Sequence, residues 1–392
     1  MLRFLTAGES HGPTLTAILE GMPAGVPLAA GDVDYDLARR QVGYGSGGRM
    51  KIEKDRVQIT SGVAGGVTTG GPIALHVAND DWPNWDGKSV TPITRPRPGH
   101  ADLTGGLKYG YSDLRHALER ASARETTMRV AVGAACKALL RELGVKVGGY
   151  VTNLGGIDAT IPEASISNLT ELAEANELRC PDPAAAEQMR DAVKAVRKAQ
   201  DTLGGIVEVV AEGVPPGLGS YVHWDRRLEA RLSFAVMSVQ AMKGVEIGPA
   251  FRNATLRGTE VHDEIFLGED GQIERRTNRA GGFEGGVTTG EPIVVRAAMK
   301  PISTILAGRR SVDLATHQEE MTVYERSDFT AVPRAVVVVE AMVAFVLADA
   351  LLEKLGGDSL REIEARLTLL HQQQAEWLRS GVSDEPYQWQ IP

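Results

Sequence analysis

The chain has 392 residues, enough for one large domain or for two to three ordinary ones. A composition of 43% hydrophobic and 24% charged residues excludes the disordered and fibrous classes. Lys plus Arg number 42 against 51 Asp plus Glu, and the resulting net charge of −9 disfavours general nucleic-acid binding, which needs a basic face.

In chain order, Met1 to Leu5 contains an arginine and no long apolar region, so no signal peptide is expected. Gly8-Glu-Ser-His-Gly12 fits a G-x-S-x-G elbow with Ser10 as nucleophile, but that elbow needs a sheet strand before it and only seven residues precede Gly8. Asp32 to Gln41 reads as a helix. That argues against Gly43-x-Gly45-x-x-Gly48 as a dinucleotide fingerprint, which opens after a first strand. Strands are predicted at Val57 to Ser61 and, after the glycine turn Gly65 to Ile73 (GGVTTGGPI), from Ala74 to Val77. Asp113 to Leu143, closed by Gly144, predicts one long helix or two broken near Ser122. Val147 to Val151 and Ile206 to Ala211 predict strands, with the polar, turn-rich Ile157 to Asp182 as the weakest seam. Pro183 opens a helix over Ala184 to Ala199, and Asp225 caps one from Arg226 to Met242, ended by Gly244. Gly285 to Ile293 (GGVTTGEPI) repeats the earlier turn at eight of nine positions, 220 residues on, and leads into a strand at Ile293 to Ala298. The most apolar stretch, Ala335 to Leu352, is interrupted by Glu340 and Asp349 and predicts a buried helix, not a membrane span. Asp358 or Ser359 caps a last helix from Leu360 to Leu378. Strands and helices do not alternate with βαβ regularity, and no linker divides the chain. The expectation is a single α+β domain over residues 1–392, made of two related halves.

Cys136 and Cys180 cannot build a disulfide framework and stand in no metal-ligand spacing, so they read as reduced thiols of a cytoplasmic protein. Arg40, Arg49, Arg95, Arg97, Arg120 and Arg124 lie on loops or helix ends beside Gly and His. Guanidinium forks suit carboxylates and phosphates, so the pattern points to an anionic ligand. His100-Ala-Asp102 does not make a metal site, because no second cluster has ligand spacing. His76, His116, His223, His262, His317 and His371 read as structural or solvated. Lys300-Pro-Ile-Ser-Thr304 follows a strand and offers backbone amides and two hydroxyls. On its residues alone, Arg326-Ser-Asp328 reads as an ion pair or cap before the apolar helix.

Seven segments occur in an order that resembles the chorismate synthase family along nearly the whole chain. They are Gly8 to Gly12, Arg95-Pro-Arg-Pro-Gly-His-Ala-Asp102, Glu119-Arg-Ala-Ser-Ala-Arg-Glu-Thr126, Gln240-Ala-Met-Lys-Gly-Val-Glu246, Thr277-Asn-Arg-Ala-Gly-Gly282, Lys300 to Thr304, and Arg326-Ser-Asp328 with Val332-Pro333. The resemblance implies a β-α-β sandwich with helices packed between antiparallel sheets, consistent with an internal pseudo-twofold repeat, and a homotetramer. It implies a redox-neutral 1,4-anti elimination of phosphate from 5-enolpyruvylshikimate 3-phosphate, giving chorismate at the end of the shikimate pathway. Reduced FMN is the implied cofactor, supplied by a separate flavin reductase. By the same resemblance Arg40, Arg49, Arg97, Arg124 and Arg326 bind substrate, His11 and His100 transfer protons, and Asp328 is the base that helps flavin N5 take the substrate proton. Arg120, Ala121, Ser122, Gln240, Ala241, Gly285, Lys300, Pro301, Ile302, Ser303, Thr304 and Arg326 match flavin positions. The family assigns NADPH to the loop of Arg40 and position 46. A second arginine is usual there and this chain has Ser46, which weakens the nucleotide expectation more than the elimination.

Overall fold

The computed structural model describes residues 1–45, 54–269, 273–322 and 328–383. Strands Arg3–Ala7, Thr14–Glu20, Val57–Ser61 and Ile73–Ala78 form a first sheet, in which 14–20 lies between 3–7 and 73–78, and 57–61 borders 73–78. Every pairing is antiparallel. Ile73, Leu75 and Val77 alternate inward along their strand, as a sheet with one buried face requires. A second antiparallel sheet runs in the order Met242–Ile247, Ile293–Met299, Gly205–Glu212, Lys146–Leu154, Ile157–Asp158.

Helix Thr126–Glu142 packs against the first sheet and against helix Ala30–Gln41, while Val332–Leu355 packs on strands 146–154 and 205–212. The two long helices also pack on each other. They approach so closely at Gly133 that a Cβ there would stand 2.3 Å from the Ala341 Cβ. Val332–Leu355 is long and apolar enough to cross a membrane, yet its side chains form the core, and its buried Glu340 pairs with Arg39 and Lys137. The architecture is mixed helix and antiparallel sheet, α+β as expected.

Local signals account for several boundaries. Asp182 accepts hydrogen bonds from the Ala184 and Ala185 N–H groups and Pro183 starts the helix Pro183–Lys198. Ser359 caps Leu360–Ser380. Ser122 adopts an extended conformation (φ −61°, ψ 143°) and divides Arg115–Ala121 from Thr126–Glu142, where the sequence suggested a break. Cys136 and Cys180 are buried free thiols.

Other expectations are corrected. The helix predicted over Arg226 to Met242 is a single tight turn, Trp224–Arg226, followed by Leu228–Met237, and Asp225 does not cap it. Ala241 turns the chain at φ 66°, and Met242 pairs opposite Met299, so sheet formation overrides the helical spacing. The seam at 157–182 holds helix Ile166–Glu174, packed on strand 146–154. Strands 3–7 and 14–20 escaped notice because the first is half exposed and carries Arg3 and Thr6. Gly8 joins them at φ 110°, where a Cβ would lie 2.5 Å from the Thr14 carbonyl oxygen.

Candidate active site

Ser10 and Ser122 bring the loop after the first strand against the break between two helices. The Ser122 hydroxyl donates to Ser10 Oγ at 3.1 Å, and Ser10 N–H donates to the Glu119 carbonyl. Ser10 is 2% exposed, so it cannot act as an elbow nucleophile. Beside it, His11 Nδ1 lies 2.8 and 3.0 Å from the two Glu119 oxygens, and the His11 N–H also donates to this carboxylate. A carboxylate only accepts, so Nδ1 carries the proton and Nε2 is left as the exchanging nitrogen. Trp85 packs on the imidazole with ring centroids 4.1 Å apart. Burial works to raise the Glu119 pKa, but the hydrogen bonds and charge of His11, with Arg115, outweigh it and hold it below the ordinary value.

A second histidine repeats the device. His100 Nδ1 stands 2.5 Å from Asp102 Oδ1, and the fully buried Asp102 also takes Nε, Nη2 and backbone N–H donors from Arg97. These partners, against the opposing effect of burial, hold the Asp102 carboxyl far below its usual range. Arg97 Nη1 donates to Thr304 Oγ1 at 2.9 Å, and Lys300 Nζ donates to the Gly99 carbonyl. The proline-stiffened loop therefore rests on residues 300–304. Ser303 packs near Gly99, Pro301 near Gly204, and the Ile302 carbonyl accepts from Thr202.

Two residues after Ser122, Arg124 belongs to a buried cationic cluster. Arg40 Nη2 donates to Asp55 Oδ2 at 2.7 Å, and Arg124 Nη1 is 3.3 Å from Asp55 Oδ1. Arg40 Nε is buried with no hydrogen-bond partner among the described residues. Burial favours the neutral acid of Asp55, but the two guanidiniums prevail and lower its pKa. Asp328 is ion-paired with Arg334. The Phe329 N–H and carbonyl bond the Gly45 carbonyl and the Leu203 N–H, which ties the Asp328 segment to the glycine loop and to the strand start beside residues 300–304.

Arg120, at the end of its helix with Ala121, donates to the Thr6 and Gly8 carbonyls. Gln240 donates to Glu125 while its Oε1 is buried with no partner among the described residues. The Ala241 carbonyl accepts from Lys300 N–H. Burial, then Lys243, depresses the Lys300 pKa. The fold thus gathers His11, Ser122, Arg124 and Arg40 along one run of polar contacts, and His100, Arg97, Ala241 and residues 300–304 along another. The hairpin of Gly285 packs near Tyr221. Arg95 pairs with Asp313 and Glu320, outside the cationic cluster. Arg49, Ser46 and Arg326 lie outside the described residues. A hollow of about 810 Å³ opens beside Arg120 and Gln240 and is otherwise walled by side chains such as Phe4, Phe234 and Phe345, without His11 or His100. Among the described residues no group of three His, Cys, Asp or Glu side chains is arranged to share a metal ion.

The sequence did not single out the partners Glu119, Asp55 and Arg334, and Asp102 was weighed there only against a metal site, which it does not make. The first three lie 108, 15 and 6 residues from the groups they hold, at separations that no local motif encodes.

A profile of the chorismate synthase family matches residues 2–352. The chain belongs to the chorismate synthase family. Chorismate synthase of Pelobacter propionicus is 56% identical over 379 residues, covering 93% of this chain and 96% of the relative. That of Desulforamulus reducens is 53% identical, covering 97% and 100%. A crystal structure of a chorismate synthase superposes with a TM-score of 0.80 at 44% identity, over 96% of this chain and 99% of that one.

Proposed function

We infer that the chain is a lyase that eliminates phosphate from 5-enolpyruvylshikimate 3-phosphate to give chorismate. One observation carries the reading: two buried guanidiniums converge on a single carboxylate, with Arg40 Nε left without a partner among the described residues, in a fold that also holds two histidines through carboxylates at Nδ1. Such a pocket suits a substrate with a phosphate and two carboxylates.

Reduced FMN, when bound, supplies the transient electron that weakens the carbon–oxygen bond and is regained as the hydrogen departs, so the change is redox-neutral. The chain fits that group: Gln240 Oε1 needs a donor, and Lys300 beside Lys243 makes a local excess of positive charge suited to a phosphate. Gln240, Ala241, residues 300–304, Arg120, Ala121 and Ser122 would hold it, with Gly285 and Arg326.

Arg40, Arg97 and Arg124, with Arg49 and Arg326, bind and orient the polyanion. His11 serves as the acid on the leaving-phosphate side through Nε2, His100 serves as the acid on the flavin side, and Asp328 is the base that assists removal of the substrate proton toward flavin N5. An NADPH role for Arg40 and Ser46 finds less support, since a serine offers no charge where the family usually has a second arginine.

The same reading takes residues 1–392 as one domain, with a β-α-β sandwich and a pseudo-twofold repeat. In support, Thr68 Oγ1 donates to the Pro23 carbonyl and accepts from Val26 N–H, and Thr288 Oγ1 makes the same pair with Pro215 and Leu218. We place the protein in the cytoplasm as a homotetramer served by a separate flavin reductase.

Anaerobic incubation with chemically reduced FMN and 5-enolpyruvylshikimate 3-phosphate is the test. Phosphate and chorismate are expected in equal amounts, and the absence of both would refute the reading.

A further inference from the structure

Arg334 occupies a position that local energetics disfavour. It is the third residue of helix Val332–Leu355, where a capping box would place Glu or Gln and where the helix dipole repels a cation. The side chain is largely buried, with Arg40 and Arg179 as charged neighbours. Burial, reinforced by those two like charges, pushes the guanidinium pKa down to about 9, and the Asp328 carboxylate against it works the other way. Room for the side chain depends on Gly43, because a Cβ there would come within 2.9 Å of Arg334 Cγ. A residue kept against dipole, burial and like charge is one that function retains.

We propose that Arg334 is a positioning residue for the elimination: its guanidinium fixes the orientation of the Asp328 carboxylate and keeps that carboxylate ionised as the base. The inference rests on the reading of Asp328 given above. Arg40 and Arg124 are held separately on Asp55, so Arg334 acts on the chemical step and not on substrate capture. Arg179 sets the frame: its guanidinium donates to the carbonyls of Arg39, Val42 and Pro333, joining the segment that bears Arg40 to the turn that bears Arg334.

The test compares Arg334→Gln, Arg334→Lys, Asp328→Asn and the Arg334→Gln/Asp328→Asn pair, using FMN-reduced enzyme without oxygen. The expected result is that Arg334→Gln lowers kcat about tenfold or more while KM stays within about threefold, and that Arg334→Lys recovers most of the loss. In the Asp328→Asn background, Arg334→Gln should add nothing. Thermal unfolding of Arg334→Gln should stay well above the assay temperature, so that the loss in kcat is read on folded enzyme. An unchanged kcat in Arg334→Gln, a loss confined to KM, or a fully additive loss in the pair would overturn the inference. If Asp328→Asn is slow while Arg334→Gln is normal, the inference alone falls. If Asp328→Asn turns over at the parental rate, the assignment of the base falls first.

Discussion

Glu119 and Asp102 each hold the Nδ1 of a histidine, so a carboxylate sets which nitrogen of each ring is left to exchange protons. Replacing His11 or His100 by Ala should slow turnover at least about tenfold, read as kcat under anaerobic conditions. Glu119→Gln should lower kcat as well, because an amide can also accept but supplies no charge to the imidazolium. The buried carboxylates Asp55, Asp102 and Glu119 also set an acid limit. Their pKa values lie below the unfolded ones, so their stabilisation is complete above about pH 4 to 5 and is lost as pH falls through the folded values. Urea midpoints measured between pH 7 and pH 3 should fall steeply below about pH 4, and less steeply in Asp102→Asn. Little of this was legible in the sequence. His11, His100 and the arginines announced themselves by clustering with glycine and proline, whereas Glu119 looked like an ordinary helix residue. Arg334 did leave a signal, an arginine directly after a proline at the head of an apolar helix, where the dipole disfavours it.

At the level of elements, boundaries set by local chemistry were readable and boundaries set by pairing were not. Asp182 with Pro183, Ser359 and Ser122 mark helix limits through their own side chains or backbone. The end of Leu228–Met237 is decided instead by strand 242–247 finding its partner at 293–299, some 50 residues later in the sequence. The helix crossing at Gly133 offers a direct check. Alanine favours an isolated helix by about 1 kcal/mol over glycine, yet here its Cβ would sit 2.3 Å from that of Ala341. Gly133→Ala should therefore destabilise the chain by about 1–3 kcal/mol in urea unfolding, and a gain in stability would show that the helices do not meet there.

Across the whole molecule, a buried charge network links pieces that each sheet leaves separate. Glu340 pairs with Arg39 and Lys137, Asp36 pairs with the same two cations, and Arg39 also meets Glu174. Four helices are thereby tied together, among them the two that carry Arg40 and Arg334. Glu340→Gln should cost about 3–5 kcal/mol, because it removes the fully buried negative charge that Arg39 and Lys137 share and leaves the network with excess positive charge, and urea unfolding measures it. The proposed internal duplication was half visible: the GGVTTG turns repeat openly. Their partners, Gly21-Met-Pro-Ala-Gly25 and Gly213-Val-Pro-Pro-Gly217, escape a fixed-period scan because their separation differs from that of the turns. The most direct test of the site is a crystal structure of the chain with FMN and 5-enolpyruvylshikimate 3-phosphate. The account predicts the substrate's anionic groups on Arg40 and Arg124, with His11, His100 and Asp328 all lining the cavity it shares with the flavin. A substrate bound where those three residues share no cavity would contradict it.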